Sequence, residues 1–90
     1  MYSKELIKLL KQNGYDRIEQ VTSSTGTAFY EMECMGLKSL RELLEHLDFL
    51  GFRLADWHRE QSVDDYYSHY EAAEKRRIAE EYALLKQNRA

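Results

Sequence analysis

The C-terminal third of this 90-residue chain contains no residue that would interrupt a helix, and that stretch constrains the fold more than any other feature. Ser62 provides a side-chain oxygen for an N-cap, and Asp64 and Asp65 place negative charge in the first turn. No proline follows, so we predict one helix over about 62–88. At about 1.5 Å per residue this helix is roughly 40 Å long, whereas a compact domain of this size is only about 30 Å across. We therefore expect residues 1–90 to form a single small domain from whose core the helix extends.

Two shorter helices are predicted from leucines that recur at helical spacing. The first covers 3–13 and the second covers about 39–50. Ser39 and Glu42 have the spacing of a capping box, which predicts the start of the second helix. A glycine directly follows each of the two predicted helices, as expected for a left-handed C-terminal stop.

The residues between these helices carry the pattern of a β-hairpin. The segments 15–22 and 27–35 contain valine, threonine and aromatic residues, and the turn-forming residues 23–26 separate them. Residues 52–57 favour either a short third strand or an irregular connector. The predicted fold class is therefore α+β, with a small antiparallel sheet of two or three strands covered by helices. The predicted order is helix, strand, strand, helix, optional short strand and long helix.

Aromatic residues are concentrated in and just before the long helix, and they predict a surface for a protein partner. Seven tyrosines are present, and tyrosine and tryptophan are common at interface hot spots because they bury a large area at small entropic cost. The alternative is that Tyr67 and Tyr70 face the core and that Tyr66 lies at its border. A helix that overhangs its domain can also pair with a second copy, so a homodimer is a further expectation. The predicted partner-binding residues are Trp57, Tyr66, Tyr67, Tyr70, Arg77 and Tyr82.

A ridge of lysines on the first helix predicts a second surface. One helical face carries the ammonium groups of Lys4, Lys8 and Lys11, which can contact phosphates. Tyr15 follows just beyond them and can stack on a base. The alternative is an ordinary solvated face, and a net charge of −3 provides no overall attraction to nucleic acid. A third possibility is an acidic surface that mimics nucleic acid, formed on the outer face of the sheet by Glu19, Glu31 and Glu33.

No motif in the chain predicts catalysis, a metal or a cofactor. His46, His58 and His69 lie in different predicted elements, and Cys34 has no second cysteine for a zinc site. The hairpin pattern places Cys34 on the buried face of a strand, with the anionic Glu31 and Glu33 just before it in the sequence, which does not favour a reactive thiolate. A lone cysteine favours a reducing compartment, and no apolar run is long enough for a membrane span. We therefore expect a cytoplasmic protein that is not an enzyme.

Residues 3–15, with the sequence SKELIKLLKQNGY, resemble the opening helix of the HicA-type toxins. These are small proteins with a double-stranded-RNA-binding-domain-like fold that cleave messenger RNA, and the predicted order of helix, hairpin and helix is similar to that fold. The resemblance implies an RNA-binding domain. The catalytic histidine of the family sits in a Gly-Ser-His stretch at the hairpin, whereas residues 25–29 here read TGTAF, so no catalytic residue carries over.

Two functions follow from these patterns. The first is a small interaction or regulatory protein that binds a protein partner, or a second copy, through its aromatic C-terminal helix. The alternative is a small RNA- or DNA-binding domain that uses Lys4, Lys8 and Lys11.

Overall fold

The computed structural model of the protein describes residues 4–32 and 34–87, and helices make up most of this part of the chain. Two long helices follow three shorter ones, and irregular segments connect them. In chain order the helices are α1 (Lys4–Gln12), α2 (Ile18–Thr22), α3 (Gly26–Tyr30), α4 (Leu37–Leu50) and α5 (Val63–Gln87).

The predicted α+β fold is wrong, because residues 4–32 and 34–87 form neither a strand nor a sheet. The two segments predicted as a hairpin fold instead as α2 and α3. Gln20 Oε1 accepts a backbone N–H at the start of α2 at 2.8 Å, and Thr25 Oγ1 accepts one in the first turn of α3 at 3.3 Å. Each helix then buries one large apolar side chain, Val21 or Phe29. Local capping and burial therefore outweigh the β propensity of these segments.

Several smaller expectations depend on whether a sheet is present. For 52–57 the irregular connector, and not the short third strand, is the alternative that is present: the segment has a turn at 55–56, and the Trp57 backbone N–H donates to the Leu54 carbonyl at 3.1 Å. The acidic sheet face predicted for Glu19 and Glu31 does not exist, and Glu33 lies outside the described residues. The double-stranded-RNA-binding-domain-like fold that the toxin resemblance implies also requires a sheet, so that expectation is wrong as well.

Two local predictions around the start of α4 are also wrong. Cys34 is exposed and has a left-handed backbone with φ of 69°, so it does not lie on the buried face of a strand. Helix α4 begins at Leu37 with Gly36 as its N-cap, which places Ser39 inside the first turn rather than at a capping box.

The three helices predicted from leucine spacing and from the absence of breakers are present as α1, α4 and α5. Gly14 and Gly51 adopt left-handed backbones, with φ of 86° and 84°, directly beyond α1 and α4. Ser62 Oγ accepts the Asp65 N–H at 3.1 Å at the start of α5. No helix in the described part of the chain has both the length and the apolarity needed to cross a membrane.

Helix α4 lies at the centre of the core, because four of its leucines are completely buried. The other helices and the connector before α5 pack around it. The buried apolar residues are Leu6, Leu10, Val21, Phe29, Met35, Leu40, Leu43, Leu44, Leu47, Leu54, Trp57, Tyr66 and Tyr70.

Helix α5 is only partly covered by this core. Its buried residues, Tyr66 and Tyr70, lie in its first two turns, whereas every residue from 75 to 86 is exposed. The principal extents of the chain are 51 × 31 × 19 Å. The Cα radius of gyration of 15.0 Å exceeds the value of about 12 Å that is typical of a compact chain of this length. We call residues 63–74 the anchored half of α5 and residues 75–87 the projecting half.

Candidate interaction surfaces

A buried cluster of hydroxyl groups holds the anchored half of α5 in place. The Tyr66 hydroxyl donates to the carboxylate of Asp56 and accepts the Gly26 N–H at 2.9 Å. The Tyr70 hydroxyl donates to the Tyr66 hydroxyl at 3.4 Å. Burial, and then the hydrogen bond to Asp56, raise the pKa of Tyr66 well above its ordinary value. The cluster thus joins α5 to the start of α3 and to the connector before α5.

Close packing around Gly26 explains why a glycine occupies the start of α3. A Cβ atom at this position would lie 2.7 Å from Cζ of Tyr70 and would also overlap the hydroxyl oxygens of Tyr66 and Tyr70. Tyr66 in turn stacks on Trp57, with ring centroids 5.0 Å apart and an angle of 15° between the planes. The two tyrosines are therefore fixed on several sides.

A second set of contacts fixes the outer sides of the anchored half. Arg41 of α4 pairs with Asp64 at 2.5 Å, and its guanidinium lies 5.0 Å from the centroid of the half-buried Tyr67 ring. The Tyr30 hydroxyl of α3 donates to the Glu74 carboxylate, which also pairs with Arg77. The hydrogen bond to Glu74 raises the pKa of Tyr30. Glu74 therefore marks the end of the anchored half.

The six residues predicted to bind a partner are divided between the core and the surface. Trp57, Tyr66 and Tyr70 are buried against the chain's own core. Tyr67 is half-buried beneath Arg41, whereas Arg77 and Tyr82 are exposed on the projecting half of α5. The surface available to a partner is therefore further along the helix than the tyrosine cluster.

The projecting half exposes an apolar stripe of which the predicted set of site residues contains only Tyr82. Ile78, Tyr82 and Leu85 recur at helical spacing and expose 55%, 60% and 66% of their surface. On a helical projection Glu74 and Glu81 border one side of this stripe, and Lys75 and Lys86 border the other. In the sequence, the sign of this surface is that apolar residues continue to recur at helical spacing after the part of the helix that the core can cover has ended. We call these three residues the α5 stripe.

Lys4, Lys8 and Lys11 are all exposed, and they border an open groove along α1. One part of the groove is a cavity of about 490 Å³ that the three lysines share with Ile7. An adjoining cavity of about 180 Å³ shares Ile7 and Lys11 with the first, so the two are continuous. The adjoining part is lined by Ile7, Leu10, Lys11, Tyr15, Asp16, Arg17, Ile18 and Val21. We call the combined surface the α1 groove.

A polar cleft of about 240 Å³ lies beside the tyrosine cluster and was not predicted. His58, His69 and Asp56 line it together with the Tyr66 side chain. Within residues 4–32 and 34–87, no three histidine, cysteine, aspartate or glutamate side chains are placed so that they could hold a metal ion. The third histidine, His46, is half-buried in α4, and burial lowers its pKa.

Another exposed apolar patch lies at the end of α4. Phe49, Leu50 and Phe52 surround the left-handed Gly51, and Phe49 is the most exposed of the three. Next to them, Arg53 pairs with Asp48 at 2.7 Å, and its guanidinium lies 4.1 Å from the centroid of the Trp57 ring.

Comparisons of the chain with protein-family models, with curated proteins and with solved structures gave no match. The candidate surfaces are therefore interpreted from their own geometry and charge.

Proposed function

We propose that this chain is a small non-catalytic interaction protein that binds a protein partner through the projecting half of α5. The observation that carries this proposal is the α5 stripe, in which three large apolar side chains recur on one face of a helix that its own core leaves uncovered. An amphipathic helix that places residues at i, i+4 and i+7 into an apolar groove is a common mode of peptide recognition.

The energetics of the α5 stripe support this role. Full burial of a completely exposed isoleucine or leucine side chain contributes about 1.5–3 kcal/mol, and Ile78 and Leu85 still expose 55% and 66% of their surface, so each can contribute somewhat more than half of that on binding. The Tyr82 ring adds area and a hydroxyl group. The anchored half also lowers the entropic cost of binding, since Tyr66 and Tyr70 already fix the direction in which the helix leaves the core. The partner thus binds a helix that is formed in advance.

The test compares partner binding by the wild-type chain and by an Ile78→Gln/Leu85→Gln variant. Tagged proteins are used to capture partners from native lysate after nuclease treatment, and the captured proteins are quantified. We expect the variant to recover a specific partner at least about tenfold less well, which corresponds to about 1.4 kcal/mol.

An Ala72→Gln/Ala83→Gln variant is the matched control, because both alanines are exposed on the opposite side of the same helix. This control should capture the same proteins as the wild type. Equal recovery by all three proteins would contradict the proposal.

A nucleic-acid-binding role for α1 is a second candidate, favoured by the position of Arg17. Lys11 and Arg17 both line the adjoining part of the α1 groove, so Arg17 adds a positive charge to a surface that also carries Lys4 and Lys8. If this surface binds nucleic acid, Lys4→Glu/Lys8→Glu/Lys11→Glu should abolish binding, and the affinity of the wild type should fall steeply with salt. Binding that survives both changes would exclude this candidate.

A further inference from the structure

We propose that the partner of the projecting half of α5 is a second copy of this chain, whose α1 groove receives the α5 stripe. This inference rests on the proposed function and names the partner of the same surface. Within one chain the two surfaces stay apart, since Ile7 and every residue of the α5 stripe remain exposed. In the dimer each copy inserts its α5 into the groove of the other, so that two identical contacts form about a two-fold axis.

The two surfaces carry opposite charge along one border. The lysine ridge lies on one side of the α1 groove, next to the apolar lining that contains Ile7, whereas Asp16 and Arg17 line the adjoining part and offset each other. The α5 stripe has an acidic edge with Glu81 and a basic edge with Lys75. One relative orientation therefore places the lysines against the acidic edge, and such an arrangement favours specificity and rapid association.

The charged groups on the two helices cover comparable lengths. Lys4 and Lys11 are seven residues apart and span about 10.5 Å along α1, whereas the exposed Glu71 and Glu81 are ten residues apart and span about 15 Å along α5. Glu71 continues the line of the α5 stripe toward the anchored half and is exposed. The positive groups of the groove and the negative groups beside the stripe can thus meet at both ends of the contact.

The lining of the α1 groove suits this occupant better than a phosphate backbone alone. Its apolar part is a surface that a phosphate group cannot use, and it is formed by Ile7, Leu10, Ile18 and Val21. Isoleucine and leucine side chains on a docking helix would be removed from water there, which favours association.

The experiment measures self-association of the full chain by sedimentation over a range of concentrations, for the wild type and two charge-reversal variants. Lys4→Glu/Lys8→Glu/Lys11→Glu makes the groove acidic, and Glu71→Lys/Glu81→Lys makes the border of the stripe basic. We expect each variant alone to dimerise at least about tenfold more weakly than the wild type. Mixed together they should form a heterodimer of near wild-type strength, because both reciprocal contacts regain opposite charges.

Two control variants separate this specific pairing from attraction between net charges. They reverse exposed charges elsewhere: Lys38→Glu/Arg59→Glu/Arg76→Glu and Glu60→Lys/Glu80→Lys. Each changes the net charge by the same amount as the variant that it matches. The controls should self-associate like the wild type, and their mixture should show no preference for the heterodimer. Circular dichroism verifies that all four variants keep the helical content of the wild type.

Three outcomes would overturn the second-copy proposal. In the first, the wild-type chain stays monomeric up to about 1 mM, which corresponds to a free energy of binding weaker than about 4 kcal/mol. In the second, the groove variant dimerises like the wild type. In the third, the mixture of the two charge-reversal variants gives no heterodimer. A groove variant that loses nucleic acid but still dimerises would assign the α1 groove to nucleic acid instead. In each case, capture that depends on Ile78 and Leu85 would still support the proposed function with a different partner.

Discussion

The anchored and projecting halves of α5 form one continuous helix, yet their helical structure has different physical origins. In the anchored half, Tyr66 and Tyr70 are buried, and the Tyr66 hydroxyl, which also accepts from Tyr70, is hydrogen-bonded to Gly26 and Asp56 in other parts of the chain. In the projecting half, the stabilising contacts are local: Arg77 pairs with Glu74, and Lys86 lies over the Tyr82 ring at 5.1 Å. Local pairs of this kind contribute only about 0.2–0.5 kcal/mol each. The comparison shows that this helix is part of the core at one end and extends beyond the core at the other, where the proposed partner would bind.

The same comparison explains how the chain combines a stable core with an exposed apolar surface. A free peptide that carried this apolar stripe would lose its helical conformation, because short isolated helices are marginally stable in water. Here the anchored half acts as the nucleus from which the projecting half continues. Substitutions in the two halves should therefore affect different properties, and stability should depend mainly on the anchored half.

The largest expected effect is that of Gly26→Ala on the anchored half. The added Cβ would overlap the hydroxyl groups of Tyr66 and Tyr70, so we expect a loss of about 3 kcal/mol in the free energy of unfolding, measured by urea denaturation. Gly36→Ala is the matched control, because no atom lies within 4 Å of its added Cβ. Its expected cost is below about 1 kcal/mol, as for a change at an N-cap. Equal costs for the two variants would argue against close packing at Gly26.

A smaller effect is expected for Tyr66→Phe, which removes one hydroxyl from the buried cluster. The change removes the Tyr66 donor from Asp56 and leaves the Gly26 N–H with only the longer hydrogen bond to Asp56 at 3.4 Å, so we expect a loss of about 1–3 kcal/mol in the free energy of unfolding. Tyr82→Phe is the matched control on the projecting half, where the side chain is exposed, and it should cost less than about 0.5 kcal/mol. A similar loss for both variants would remove the distinction between the halves.

The same two variants provide a test by pH. Because burial and Asp56 hold the pKa of Tyr66 above its ordinary value of 10.0, the unfolded chain loses this proton first as the pH rises. The stabilising contribution is complete below pH 10 and is lost progressively above it, at a rate of at most about 1.4 kcal/mol per pH unit. Urea denaturation of both variants at increasing pH measures this decline in the free energy of unfolding, and Tyr66→Phe should make it less steep.

The sequence was sufficient to predict α1, α4 and α5, because leucines at a period of 3.6 residues and the absence of breakers are signals within each helix. It was not sufficient for α2 and α3, which are only five residues long and are rich in residues that also suit strands. Their conformation depends on side-chain caps from Gln20 and Thr25 and on the burial of Phe29 in a core built mainly by α4. Burial of this kind depends on contacts that no local pattern contains.

The candidate site shows the same limit. Tyr66 and Tyr70 lie on a separate row of apolar residues in the anchored half. The helical spacing of this row is the same whether it packs on the core or binds a partner. The decisive partners are Gly26 and Asp56, which lie 40 and 10 residues away from Tyr66 in the sequence. The exposed stripe beginning at Ile78 could be recognised only once the extent of the core was known, because the two stripes have the same period.

The smallest expected effect on stability, and the sharpest contrast with the anchored half, is that of Ile78→Gln/Leu85→Gln. Both side chains are exposed, so their replacement should change the free energy of unfolding of the monomer by less than about 0.5 kcal/mol in urea denaturation at low concentration. The same pair of changes should abolish the concentration dependence of that unfolding, since a dimer adds stability only when it forms. Leu43→Ala in the core supplies the reference, with an expected cost of about 2–5 kcal/mol and no selective effect on association. If Ile78→Gln/Leu85→Gln were to destabilise the dilute monomer by several kcal/mol, the projecting half would be part of the core after all, and both the division of α5 and the proposed role of its stripe would fail together.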